Sequence, residues 1–274
     1  MKKTLTLYLL LFTTLEFCRA QTPDRPWNDK KCAVVLTYDD ALNVHLDTVL
    51  PQLDSLGMKG TFYLIASSPV VEGRLAEWRS AAEQGHELGN HSLNHPCDGT
   101  LPYRGFVTPE NDLSRYSVAR TVREVQLTNT LLKAIDGKEE RTFAYPCGDL
   151  RVSDTLYYDS LQNDFVAARG VTPSFPALSA VHLSDVPAFA QIGSTAAQMI
   201  AQVKEAEQAG SLVVFLFHGV GGEHSLNIGA EEHRKLLAYL KEREPDVWVA
   251  PMVTVADYIR EHRSASSESA KPGK

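Results

Sequence analysis

AVVLTYDD, residues 33–40, decides the fold class. Ala33 to Tyr38 is an almost continuous apolar run that ends abruptly in two aspartates. A strand with no polar alternation is buried on both faces, which is the habit of parallel sheets. Similar runs recur at Gly60–Ile65 (GTFYLI), Leu212–Phe217 (LVVFLF) and Val247–Ala250, with shorter ones at 87–90, 142–145 and 165–168. Between them lie stretches of helical periodicity. Residues 41–56 place Leu42, Leu46, Val49, Leu50 and Leu53 on one face, and 116–135 do the same with Val118, Val122, Val125 and Leu132. Further helices are expected at 75–84, at 195–209 with Gly210 as a stop, at 230–243 and at 254–262. Strands alternating with helices give an α/β fold with a parallel sheet. Seven such units point to a (β/α) barrel, with an open doubly wound sheet as the competing architecture.

The flanks differ from this body. Residues 1–20 read as a signal peptide: Lys2 and Lys3, a short apolar core from Leu5 to Phe12, then Cys18-Arg19-Ala20 with small side chains at the −3 and −1 positions. Cleavage near Ala20 would make the chain secreted or periplasmic. Bulky Phe17 before Cys18 speaks against a lipid anchor. A catalytic domain is expected over 21–263, and the polar 264–274 (SASSESAKPGK) as a disordered tail. The 274 residues carry a net charge of −7, which becomes more negative without the leader, and no basic patch is visible. Nucleic acid is therefore not expected as a partner. No second long apolar run suggests an integral membrane protein, and no obligate protein partner is evident. Cys32, Cys97 and Cys147 remain after cleavage, either three buried thiols or one pair and one thiol. Two long connections, about 96–115 and 170–193, exceed the usual loop length and are expected to be functional.

In parallel barrels the active site forms at the carboxyl ends of the strands. There the sequence places Asp39-Asp40, His91 and His95, Tyr145-Pro146-Cys147-Gly148, Arg169 and His218. Each has a plainer reading alone. An Asp after a strand is often a helix cap, and two histidines four apart, which could share a helical face, are often a surface accident. Together at one rim they make a coherent set. Two imidazoles and a carboxylate with open positions are the pattern of a catalytic metal, Zn²⁺ being the expected divalent ion. Metal on one of two adjacent carboxylates leaves the other free as a base.

Thr37-Tyr38-Asp39-Asp40, His91-Ser92-Leu93-Asn94-His95 and Leu216-Phe217-His218 resemble motifs of the polysaccharide deacetylases, the carbohydrate esterase family 4 or NodB homology domain. The resemblance spans about residues 32–262. It implies a distorted barrel of about seven β/α units. It also implies Asp39 as general base, Asp40, His91 and His95 as metal ligands, and His218 as general acid. The backbone N–H of Cys147 would hold the oxyanion, and Tyr145 and Pro146 would line the substrate site. The substrate would be an acetylated carbohydrate, as an N-acetyl amide or an O-acetyl ester. A non-catalytic carbohydrate-binding relative of the same fold is the alternative.

Two departures mark a divergent branch. Ala144 stands where the family carries an arginine that pairs with the base, and Cys147 where an aromatic follows the proline. A fourth motif has no clear match, Asp185 being the nearest candidate. The missing arginine leans the expectation toward esters, whose better leaving group needs less tuning of acid and base. Arg169 ends the next strand and is long enough to reach Asp39 from there; the alternative is an arginine pointing into solvent or pairing with a loop acid. If His95 and Pro146 both border the metal, Cys97 and Cys147 could form a disulfide, the other possibility being two free thiols.

Overall fold

A computed structural model describes residues 25–269, so the leader expected at 1–20 lies outside the described residues. The sheet comprises β1 (Cys32–Asp39), β2 (Thr61–Leu64), β3 (Glu87–Asn90), β4 (Phe143–Ala144), β5 (Ala168–Arg169), β6 (Phe189–Ala190), β7 (Leu212–Phe217) and β8 (Val247–Val249). Neighbours run β5-β4-β3-β2-β1-β7-β6, and every pairing is parallel. Strand β8 pairs with Cys32–Val34 of β1, while β2 pairs with Thr37–Asp39 farther along.

The sheet curls into a distorted barrel. Its two edges meet one irregular segment within the 170–193 connection. Val186 exchanges backbone hydrogen bonds with β5 (Val186 N–H to Ala168 O, 2.7 Å; Gly170 N–H to Val186 O, 2.9 Å). Three residues later, Phe189 and Ala190 pair with Phe215 and Leu216 of β7. Part of that long connection is thus a strand, which its sequence (VPAFAQ) does not announce. The strand expected at 165–168 is regular only at Ala168–Arg169, although Val166 N–H and the Ala167 carbonyl already bond to Arg141 and Phe143 (3.1 and 3.0 Å), because the chain bends at 166.

The continuous apolar runs sort by alternation. Val34, Leu36 and Tyr38 of β1, with Val213, Phe215 and Phe217 of β7, pack against the surrounding helices Leu75–Glu83, Ala196–Ala209 and Ala230–Glu242. Ala33 and Val35, with Leu212, Val214 and Leu216, face the other way, against Val255, Ala256 and Ile259 of the last helix. Each large apolar side chain so buried contributes about 1.5–3 kcal/mol. The helix Ala196–Ala209 shows how local sequence sets boundaries. Thr195 and Gln198 form a reciprocal capping box, and Gly210 ends the helix in the left-handed conformation at φ 61.

Two sequence expectations need correction. The last helix runs Met252–Ser269, so the start of the expected disordered tail is helical. Nothing in the sequence of Ser264–Ser269 breaks a helix, and the remainder of the expected tail, 270–274, lies outside the described residues. The segment His91–Pro96 is an irregular turn rather than a helix, so its two histidines converge by another route.

Candidate active site

Six side chains meet where β1, β3, β5 and β7 end. Asp39 is the last residue of β1 and is buried. Asp40, with φ 82, and Ala41, with φ 55, turn the chain sharply through a region that non-glycine residues seldom occupy. The second carboxylate therefore swings into the barrel mouth instead of continuing the strand alternation. The same device shapes the histidine turn. Asn90 Oδ1 accepts from Ser92 N–H (2.8 Å), and Ser92 Oγ accepts from His95 N–H (2.9 Å). Ser92 at φ 65 and His95 at φ 52 are both left-handed. The two imidazoles end with ring centres 4.6 Å apart.

Asp40, His91 and His95 bring one ligand atom each within 4.8 Å of one another. His91 Nε2 lies 3.6 Å and His95 Nε2 3.7 Å from Asp40 Oδ1. That oxygen is buried and accepts no hydrogen bond, an arrangement that is costly unless a cation satisfies it. His91 Nδ1–H donates to the carbonyl of Ala144 (2.8 Å), which turns the Nε2 lone pair toward the site. Burial lowers the His91 pKa to about 3 and that of His95 to about 4, so both are neutral, as ligands must be. The donor set fits a divalent ion of the zinc type.

Asp39 is held differently. Burial pushes its pKa up, but Arg169, His91 and His218 outweigh burial and hold the carboxyl below its ordinary value. Arg169 Nη2 donates to Asp39 Oδ2, with both side chains almost wholly out of water. Asp39 Oδ1 has no hydrogen-bond partner. Gly89 makes room for this pair. A Cβ there would lie 2.4 Å from Tyr63 Cδ1, and the Tyr63 ring carries the Arg169 guanidinium 5.1 Å above its centre. The position of Ala144, where the sequence lacks an arginine, is served from β5 instead.

His218 lies just beyond β7, with Nε2 3.9 Å from Asp40 Oδ2. Burial lowers its pKa against the pull of Asp39 and Asp40. The backbone of His218 is pinned by His45, a residue the sequence reading passed over. His45 Nδ1 accepts from Leu42 N–H (3.2 Å), and its Nε2–H donates to the His218 carbonyl (2.8 Å). His224 was also missed. It lies six residues past His218 in a glycine-rich loop with no motif spacing, yet its Nε2 is 3.7 Å from Asp40 Oδ2.

A cleft of about 560 Å³ covers these groups, lined also by Tyr145, Cys147, Phe106 and Leu226. Tyr145 contributes ring surface, since its hydroxyl donates to Ser184 O (2.7 Å). Pro146 is buried and does not line the cleft. Cys147, at φ 55, is bonded to Cys97 by a disulfide, and Cys32 is the free cysteine among the described residues. Arg104 braces the same turn through Asp149 (3.0 and 3.2 Å) and the Cys147 carbonyl (3.2 Å). Asp185 lies outside the cleft lining, its Oδ1 set close against Gly170.

Comparisons with known proteins agree with this geometry. A family model described as polysaccharide deacetylase matches residues 28–166. The uncharacterized protein YlxY of Bacillus subtilis (strain 168) is 30% identical over 109 residues, 40% of this chain and 29% of its own length. The gellan lyase of a Bacillus species is 29% identical over 143 residues, 52% of this chain and 5% of its own length. The chain thus spans under a third of either curated relative. Among solved structures, a putative polysaccharide deacetylase from Mycobacterium smegmatis superposes with a TM-score of 0.63 at 18% identity, covering 88% of this chain and 96% of that one. A family 4 acetyl xylan esterase from Clostridium thermocellum, solved with a cobalt ion, gives 0.50 at 20% identity, over 81% and 89%. A mutant of a CE4 family pseudoenzyme gives 0.53 at 20%, over 86% and 69%. These structures share the fold, and the family match takes in the two acidic and two histidine residues of the site. The chain belongs to the polysaccharide deacetylase family.

Proposed function

We propose that this chain is a secreted, metal-dependent deacetylase that hydrolyses acetyl groups on a carbohydrate polymer. The observation that carries the reading is the pair of unlike carboxylates. Asp40 turns an unbonded buried oxygen toward two neutral imidazoles, while Asp39 is held ionised by Arg169. Asp40, His91 and His95 would hold the ion. When bound, a divalent cation there would acidify a water and polarise an acetyl carbonyl.

The remaining work falls to side chains. Asp39 takes up a proton on Oδ1, the oxygen that Arg169 leaves free. The backbone N–H of Cys147, fixed by the disulfide and by Arg104, is the donor for the developing oxyanion. His218 gives a ring proton to the departing amine or alcohol. Phe106, 65% exposed on the cleft lip, and Tyr103, 99% exposed on the same loop, offer ring faces to neighbouring sugars. The lean toward esters loses its ground, because it assumed a base without an arginine. With Arg169 in place the base is anchored well enough for an amide.

The non-catalytic alternative has a counterpart in the pseudoenzyme fold, but every group the chemistry needs is present here. Acetate release from acetylated xylan and from N-acetylglucosamine oligomers, with and without chelator, tests the proposal. No release from either substrate by metal-loaded protein would favour the binding-protein reading.

A further inference from the structure

His224 faces the metal-ligand carboxylate, and no step above uses it. We infer that His224 is a positioning residue for Asp40, donating its Nε2–H to Oδ2 so that Oδ1 stays turned to the metal. This inference rests on the assignment of Asp40, His91 and His95 as ligands.

The first support is the tautomer. Leu226 N–H donates to His224 Nδ1 at 3.0 Å. A ring nitrogen that accepts a hydrogen bond bears no hydrogen, so the neutral imidazole carries it on Nε2. That nitrogen is a fixed donor. It has no lone pair to offer a cation, which separates His224 from His91 and His95. In His91 it is Nδ1 that carries the hydrogen, donated to the Ala144 carbonyl.

The second support is the two-sided environment of Asp40. Its Oδ1 is approached by His91 and His95, at 3.6 and 3.7 Å. Its Oδ2 is approached by His224 at 3.7 Å and by His218 at 3.9 Å. A distance of 3.7 Å is too long for a hydrogen bond, and a movement of about 0.8 Å closes it. The carboxylate thus has a metal edge and a donor edge.

The third support is how the ring is held. It stacks nearly parallel on His218, centres 4.8 Å apart and planes 12° from parallel. Glu223, at φ 66, ties the loop to the chain after β1, accepting from Asn43 Nδ2 and from Val44 N–H, both at 2.7 Å. The loop is therefore anchored to the segment that follows Asp40, and donor and acceptor move as one unit. Carboxylates that ligate metals are ordinarily hydrogen-bonded in turn, and loss of such a partner weakens metal affinity about 10–100-fold.

The test is a metal titration. Metal-free protein is titrated with Zn²⁺ against a competing chromophoric chelator. His224→Ala is expected to raise the Kd about 10–100-fold with an unchanged circular dichroism spectrum. His224→Gln, whose amide N–H reaches the place of Nε2–H, should recover most of that loss. A wild-type Kd in His224→Ala overturns the inference, as does a His224→Gln variant as weak as His224→Ala. Titration with Co²⁺ checks the tautomer argument: visible absorption altered in both variants would make His224 a ligand and overturn its role as donor. His91→Ala runs alongside. If it too binds Zn²⁺ as wild type does, the metal-site assignment fails, and the inference about His224 with it. If His91→Ala loses the metal while His224→Ala does not, only the role of His224 fails.

Discussion

Replacing Arg169 by leucine removes the buried cation beside the proposed base while keeping an apolar side chain in its place. In the intact protein Asp39 sits below its ordinary value of 3.8 only because Arg169, His91 and His218 outweigh burial. With Arg169 gone burial should win, and Asp39 should rise above 3.8. The acid limb of kcat/KM, followed by acetate release from metal-loaded enzyme, should then move to higher pH. Stability should change in step. A depressed carboxyl supplies stability that is complete above 3.8 and lost as the pH falls through the lower folded value. The leucine variant should lose that term and leave a buried carboxylate unpaired, a cost of about 3–5 kcal/mol read as a lower urea midpoint. Arg169→Lys keeps the charge without the planar fork and should fall between the two. An acid limb that coincides in wild type and Arg169→Leu refutes the reasoning, whatever happens to stability.

Asp39→Asn and His218→Ala should each retain the metal by elemental analysis and lose about 10²–10⁴ in kcat; near-normal turnover in either variant removes that residue from the mechanism. The disulfide closes a loop with a sequence separation of 50, so Cys97→Ser should cost roughly 4 kcal/mol on a chain-entropy basis. An unshifted urea midpoint, with and without reductant, would contradict it. Tyr103→Ala and Phe106→Ala should raise KM for acetylated polymer several-fold and leave turnover of a small acetyl ester untouched, since an aromatic face contributes only where a neighbouring sugar can lie on it. Equal effects on both substrates would deny the loop that role.

The long runs in β1 and β7 were legible because each is long enough to bury both faces, and their terminal groups therefore pointed to the site rim. Strands β4, β5 and β6 have two residues each, too few for any periodicity, so β6 passed as loop and β5 was placed early. Arg169 could be found because a strand end fixes where a long side chain starts. The turns at Asp40 and His95 could not. Nothing in Asp-Asp or in His-Ser-Leu-Asn-His demands a positive φ, and the strain persists only because packed neighbours impose it. His224 escaped for a related reason: its partner Leu226 N–H is a backbone group, invisible to any reading of side-chain types.

The guanidinium that reaches Asp39 from β5 separates two things that motif patterns treat as one, the charge a site needs and the sequence position that delivers it. A pattern that requires arginine at position 144 would class this chain as inert, although the proposed base has a partner. The two solutions exclude each other within one barrel. Ala144 is fully buried, so a long side chain there would have to displace packed neighbours, and a second guanidinium would crowd the carboxylate that the proposed mechanism needs with one oxygen free. Ala144→Arg alone should therefore be harmful, and only its combination with Arg169→Ala offers the charge by the other route. Whether a chain of this fold is competent is then a question to ask of the space around the base, with any residue able to reach it counted.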